Sequence, residues 1–296
     1  MMTDFSPRWI PLVSAAVYAV AALVLKRATK EAGDPWRVNF LVNGVLGLGF
    51  SLLWFLPSDH PGTGENVGHA IICGGFFFIG QVFTFLALSR GDVSVATPVL
   101  GTKVIFVAWL SLMMGVAEIA VEIWVAVGLT AMGMVLLGGG GKKKHAVAIR
   151  GIIYGCLAAG FFALTDVLQQ RWINQWGFAH YAATMFLTIG VLSLGLIPWF
   201  GGSLWELSRV AWRGSLGGGM LLAMQAAGVT WSIGMLGATT TNVLYNSRGI
   251  WSVVLVWAIG GWFGNAEREH GAGVMGRRLA GAGMLLLAIV VVTWKS

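Results

Sequence analysis

The chain has 296 residues, 57% of them hydrophobic and 10% charged, with a mean hydropathy of +0.78. So few charges cannot cover a water-exposed surface, which excludes a soluble enzyme. A net charge of +7 would suit nucleic acid if the basic residues formed one stripe, but they sit between apolar runs, where they read as membrane-topology signals.

In chain order, apolar runs bounded by Gly, Pro and charge predict helical spans at 9–28, 36–56, 68–89, 94–114 and 120–138. A second set follows at 150–172, 179–200, 212–235, 238–262 and 274–294. The first run, Trp9 to Leu25, has a counterpart later in the chain and reads as a span, not a cleavable leader. Pro98 removes a backbone donor near the start of the fourth span and predicts a kink there. Trp9, Trp36, Trp54, Trp172, Trp199 and Trp294 fall near span ends as interfacial anchors, whereas Trp109, Trp231 and Trp257 lie deeper, as core. Glycine clusters such as Gly44 to Gly49 and Gly217 to Gly219 predict close helix approach.

The two sets are separated by a flexible basic stretch, Gly138 to Arg150. Its glycines lack the Gly-Lys-Ser/Thr ending and the preceding strand of a phosphate loop, so its lysines read as lipid contacts or orientation signals. Cys73 and Cys156 each lie inside an apolar run, which leaves no disulfide framework. The five histidines, His60, His69, His145, His180 and His270, lack ligand spacing, and no nucleophile sits beside a base. Neither a metal, a cofactor nor catalysis is expected.

Adding 145 to the residue number overlays the two sets. Trp54-Phe55 then falls on Trp199-Phe200, Asn39 and Asn43 on Thr184 and Thr188, and Ser94, Thr97 and Lys103 on Thr239, Asn242 and Arg248. Polar residues coinciding inside membrane spans point to a duplication. An odd number of spans per copy forces the second copy to enter from the opposite face. The expected fold is therefore an all-α integral membrane protein with ten transmembrane helices in two inverted five-helix repeats, residues 1–141 and 150–296, joined by a basic linker at 142–149. That architecture belongs to transporters, with a site near the bilayer midplane.

This pattern, with SRGDVSVATPVLGTKVIF (Ser89 to Phe106) opening the fourth span, resembles the drug/metabolite transporter superfamily, in particular its EamA-like ten-helix branch. The resemblance runs over essentially the whole chain. It implies a secondary transporter but no particular substrate, since the branch holds exporters and importers of different solutes. It also implies cytoplasmic termini. Loop charge says the reverse: Arg8, Arg171 and Lys295 lie on the terminal face and fourteen cations on the other, which places both termini outside a cell (inner) membrane.

Charges inside a membrane cost about 2.5 to 3.5 kcal/mol each on insertion scales and therefore mark function. Three are deep: Lys103 in the fourth span, Asp166 in the sixth and Arg248 in the ninth. The two cations approach a common cavity from equivalent helices, and their excess of one positive charge favours an anionic solute. Asp166 reads as charge partner or proton-coupling site, with Gln169 and Gln170 on its face. Around Arg248, spacings of four, three and four align Thr241, Tyr245 and Ser252 in one polar stripe, flanked by Asn242 and Asn246. Trp251 offers a cavity wall or cation–π face. Gln81 with Thr84, Gln225 with Ser232, and Tyr18 from the first span complete the candidate lining. The position of the cations also resembles the phosphate- and sugar-phosphate-exchanging arm of the superfamily. Ser247-Arg248 departs from that arm's Lys-Arg pair, so a carboxylate or another anion is equally admissible.

The expected function is secondary active transport of a small anionic metabolite by alternating access. The alternative is export of neutral or zwitterionic metabolites such as amino acids. Expected partners are the small-molecule solute, protons or a counter-solute, and membrane lipid; nucleic acid is not expected.

Overall fold

In lipid the backbone has no water to bond, so each segment satisfies its own N–H and C=O groups by forming a helix. Every regular element among the described residues is indeed helical. The computed structural model describes residues 6–57, 60, 62–90, 99–138, 145–259 and 272–294. The helices are α1 (Trp9–Ala32), α2 (Pro35–Ser51), α3 (Gly64–Arg90), α4 (Lys103–Met113), α5 (Val121–Gly138), α6 (His145–Trp176), α7 (Phe178–Leu192), α8 (Arg209–Leu236), α9 (Ala238–Tyr245), α10 (Arg248–Ile259) and α11 (Ala272–Trp294). Short 3-10 segments extend α2 to Phe55 and α7 to Trp199. Counting these extensions, six helices are long and apolar enough to cross a membrane. Val99–Met113, Val121–Leu137 and Leu279–Trp294 are shorter apolar helices. The chain is a multi-pass membrane protein.

Two departures from the predicted elements matter. Helix α6 begins at His145, so the end of the expected linker is already helical. The ninth span is not one helix but two, α9 and α10, separated by Asn246-Ser247. Asn and Ser side chains compete with the backbone for hydrogen bonds and favour turns, and Gly249 weakens the next turn. There the α-pattern tightens to three-residue steps: Ser247 N–H donates to the Leu244 carbonyl (3.1 Å), Gly249 to Asn246 (3.0 Å) and Ile250 to Ser247 (2.9 Å). A similar step precedes α4, where Thr102 N–H donates to the Val99 carbonyl at 3.1 Å and the Thr102 hydroxyl to the same oxygen at 2.6 Å. Lys103 and Arg248 thus each open a helix directly after a break. Pro98, expected to kink the fourth span, lies outside the described residues.

Packing follows the glycines and alanines. Helix α1 lies along α8, α3 along α6, α2 against α7 and α5 against α11; α4 packs on α6 and α10 on α1. A Cβ on Gly47 would sit 3.2 Å from Gly190 Cα, and one on Gly133 would sit 2.9 Å from the Gly281 carbonyl oxygen. Only hydrogen fits at these crossings. Gly237, at φ +80°, makes the tight turn that joins α8 directly to α9. The largest core surrounds Phe50, stacked on Phe186 at 4.0 Å between α2 and α7. The outer surface is apolar, as lipid requires. Trp109, expected in the core, is 53% exposed and belongs to that surface, while Trp231 is half-buried.

Two polar devices fix the frame. Along α6 runs an antiparallel ladder with rungs one helical turn apart, two to α9 and one to the end of α8: Asn242 Nδ2 donates to Asp166 Oδ2 (2.7 Å), Ala238 N–H to Gln170 Oε1 (2.7 Å), and Asn174 Nδ2 to the Gly234 carbonyl (3.2 Å). At the opposite end of the bundle, buried Asp34 caps α2 through Trp36 N–H (2.9 Å), accepts from Gly201 N–H (2.7 Å) and pairs with Arg37 Nε (3.0 Å). Arg37 also donates to the carbonyls of Ser203 and Ala32. It is a buried tie between the α1–α2 turn and the segment before α8, rather than the free loop cation that the topology count takes it for.

Candidate functional site

Asp166 lies two-thirds along α6 and is 6% exposed. A bare carboxylate there would be prohibitively costly, and its neighbours answer that cost. Lys103 Nζ, from the first residue of α4, donates to Oδ2 at 2.6 Å. Asn242, on α9, donates to the same oxygen at 2.7 Å, held in place by a second bond from its Nδ2 to the Ala238 carbonyl at 2.9 Å. Both donors converge on Oδ2. Among the described residues Oδ1 accepts no bond.

One turn along from Asn242, the same polypeptide builds a second centre. The Arg248 guanidinium lies over the Tyr18 ring at 5.1 Å and over the Tyr245 ring at 5.0 Å. The two rings meet edge to face, 5.9 Å apart at 72°, so α1 and α9 supply a corner of π density into which α10 places its cation. Such contacts offset a desolvated charge by about 2 kcal/mol. Among the described residues no carboxylate comes within ion-pair distance of Arg248. Asp166 and Arg248 nonetheless interact electrostatically, so the single carboxylate acts on both cations.

The structure thus brings together six of the sequence-predicted residues, Tyr18, Lys103, Asp166, Asn242, Tyr245 and Arg248, as two adjoining centres one turn apart along α9. It does not bring the two cations onto one ligand position, because Lys103 is taken by Asp166. Other candidates separate from the site. Gln81 exchanges two hydrogen bonds with Asn43, at 3.0 and 3.1 Å, tying α3 to α2. Gln170 shares the α9-facing side of α6 with Asp166 and is spent as a rung of the ladder, and buried Gln169 has an unpartnered Nε2. Thr84 and Ser232 bond carbonyls of their own helices, and Gln225 is half-buried on α8.

The break at Asn246-Ser247 interrupts the predicted stripe. Thr241 is fully buried with an unpartnered hydroxyl, Asn246 is buried at the break, and the Ser252 side chain lies outside the described residues. Trp251 is 41% exposed, and the rings over Arg248 are the two tyrosines instead. The tyrosines, not Trp251, thus make the cation–π contacts of Arg248 among the described residues. Asn174 adds a rung that the sequence reading does not include, although its spacing of four from Gln170 and eight from Asp166 is visible in the sequence.

A cavity of about 400 Å³ lined by Met114, Gly115, Val116, Gln170 and Arg171 lies beside the α4 end, and its Gln170 is one helical turn from Asp166. A second cavity of about 330 Å³ lies between Trp54, His60, Trp176 and His180.

Comparison with known proteins adds a family likeness to this helical membrane chain. Residues 9–139 match the EamA-like transporter family. An "Uncharacterized transporter" of Archaeoglobus fulgidus is 29% identical over 171 residues, 54% of this chain, and the match spans 58% of that relative's length. A solved protein crystal structure is similar with a TM-score of 0.72 over 98% of both chains; at 17% identity this likeness concerns the fold. The residues that match the family include Tyr18 and Lys103, while Asp166, Asn242, Tyr245 and Arg248 come from beyond them.

Proposed function

We propose that the protein is a secondary active transporter that carries a small anionic metabolite by alternating access, with Arg248 as the solute-binding cation. The observation that carries this reading is the Tyr18–Tyr245–Arg248 corner: a guanidinium inside a membrane bundle, with no carboxylate of the described residues at ion-pair distance, beside a carboxylate already occupied by Lys103. A guanidinium has five N–H donors, so its bond to Tyr245 leaves others in plane for an anion. Asp166 is the charge partner of Lys103, and proton binding there would release Lys103, which makes it the candidate coupling site. The cavity at Gln170-Arg171 is the entrance to this region.

The chain is read as ten spans in two inverted repeats, 1–141 and 150–296, flanking the linker at 142–149. The packing pattern supports this, because exchanging first-half for second-half helices turns α1–α8 into α6–α3 and leaves α2–α7 and α5–α11 unchanged. The offset of 145 between Lys103 and Arg248, each opening a helix after a break, supports it as well. Termini outside a cell (inner) membrane remain the orientation that loop charge favours, and a carrier rather than an enzyme is the reading that the site chemistry favours.

The second reading, export of a zwitterionic metabolite such as an amino acid, is favoured by the open Oδ1 of Asp166, which offers an ammonium group a place beside the guanidinium. Counterflow in proteoliposomes tests the common core of both readings. Solute loaded on one side is expected to accelerate entry of labelled solute from the other, and Arg248→Gln to abolish the effect. Counterflow that is indifferent to Arg248→Gln would discard Arg248 as the solute cation.

A further inference from the structure

The charges around the site count out to a definite solute valence, an inference that rests on the transporter reading above. Lys103 and Asp166 neutralise each other at 2.6 Å, and Asn242 completes the shell of Oδ2 without adding charge. Among the described residues Arg248 then stands without a carboxylate at ion-pair distance, in a corner of rings that supplies π density. Asp166 is its neighbour through α9, whose Asn242 bonds the carboxylate and whose Tyr245, three residues on, lies against the guanidinium. One anionic group on Arg248 therefore meets attraction, whereas a second anionic group on the same small molecule meets the Asp166 carboxylate. Like charges brought together in a desolvated site are strongly disfavoured.

We propose that the solute presents one monoanionic group, of the carboxylate kind, to Arg248, and that the Lys103–Asp166 pair is the filter that rejects a second anionic group such as that of a dicarboxylate or a phosphate dianion. Lys103 is in this view a specificity-determining residue through Asp166, not a ligand of the solute. The filter has a clear signature. Removing the carboxylate charge deletes the repulsion and frees the Lys103 ammonium in one step, so Asp166→Asn converts a site for one negative charge into a site for two. Removing both charges, Lys103→Gln with Asp166→Asn, returns the balance to a single cation.

Succinate and its monomethyl ester have nearly the same size and differ by one charge, so they isolate valence. Thermal stability of the purified full chain is measured with each at neutral pH and equal ionic strength, alongside proteoliposome uptake of the same two compounds and of alanine. Wild type is expected to be stabilised more by the monoester. Asp166→Asn is expected to reverse the order, moving the succinate-to-monoester affinity ratio by at least about tenfold, and the double variant to restore it. If Asp166→Asn does not fold, the double variant still decides, since a preference for succinate in it overturns the filter. A wild type that prefers succinate, an unchanged ratio in Asp166→Asn, or stabilisation by neither compound overturns the inference. Uptake separates this from the broader reading: Arg248-dependent transport of succinate sinks the filter and leaves the transporter standing. Anion binding without any carried solute or counterflow does the opposite.

Discussion

Lys103 and Arg248 occupy matching places, each the first residue of a helix after a break and 145 positions apart, yet the protein handles their charges by different means. The lysine, a compact and strongly hydrated cation, is given a carboxylate at 2.6 Å. The arginine, planar and more weakly hydrated, is given two aromatic rings and keeps its N–H edge available. The difference teaches that position in a duplicated sequence does not determine role: a cation closed by an ion pair is part of the frame, and a cation laid on rings stays open to a ligand.

The largest expected effect that would break this comparison comes from the frame side. Asp166→Ala strands a nearly buried ammonium, and thermal unfolding in detergent should show a loss of about 3 kcal/mol. If the loss is no larger than for Arg248→Gln, the assigned division of labour between the cations is wrong. Arg248→Gln should instead leave the unfolding temperature nearly unchanged while solute uptake falls on the order of tenfold to a hundredfold, the worth of a hydrogen-bonded charge. Asn242→Ala removes one charge-assisted bond to Oδ2 and should lower stability by about 1.5 kcal/mol, with Asn242→Asp worse because it sets two carboxylates together. Smallest is the ring contribution. Tyr18→Leu should weaken Arg248-dependent uptake by about threefold to fivefold, equivalent to about 1 kcal/mol, while Tyr18→Phe, which keeps the π face, should stay near wild type.

Much of this could be seen in the sequence because lipid simplifies the code. Apolar runs located the helices, and a charge in such a run is rare enough to be singled out, which is why Lys103, Asp166 and Arg248 stood out without coordinates. Partner choice was not visible. Which of two cations meets Asp166 depends on how α4, α6 and α9 rotate against one another, and helical spacing says nothing about rotation between helices. Arg37 shows the same limit from the other side: counted with the loop cations, it proves to be a buried tie because Asp34 and Ser203, the latter distant in sequence, close around it. Polarity alone predicts Gln81 as lining, but Asn43 on α2 claims it. The stripe through Thr241, Tyr245 and Arg248 is broken after Tyr245 for a local reason that the sequence contains, since Asn246-Ser247 followed by Gly249 is a helix-weakening run.

The three rungs along α6, at 166–242 and 170–238 to α9 and at 174–234 to the end of α8, have a mechanical corollary. Sliding α6 past the α8–α9 junction would sever all three bonds at once inside a medium that offers no substitute donors. They must travel as a single strut, carrying the carboxylate and Tyr245 along together, so any opening at this level has to occur at the seam that lacks such rivets, where α9 and α10 meet α1 through Tyr18.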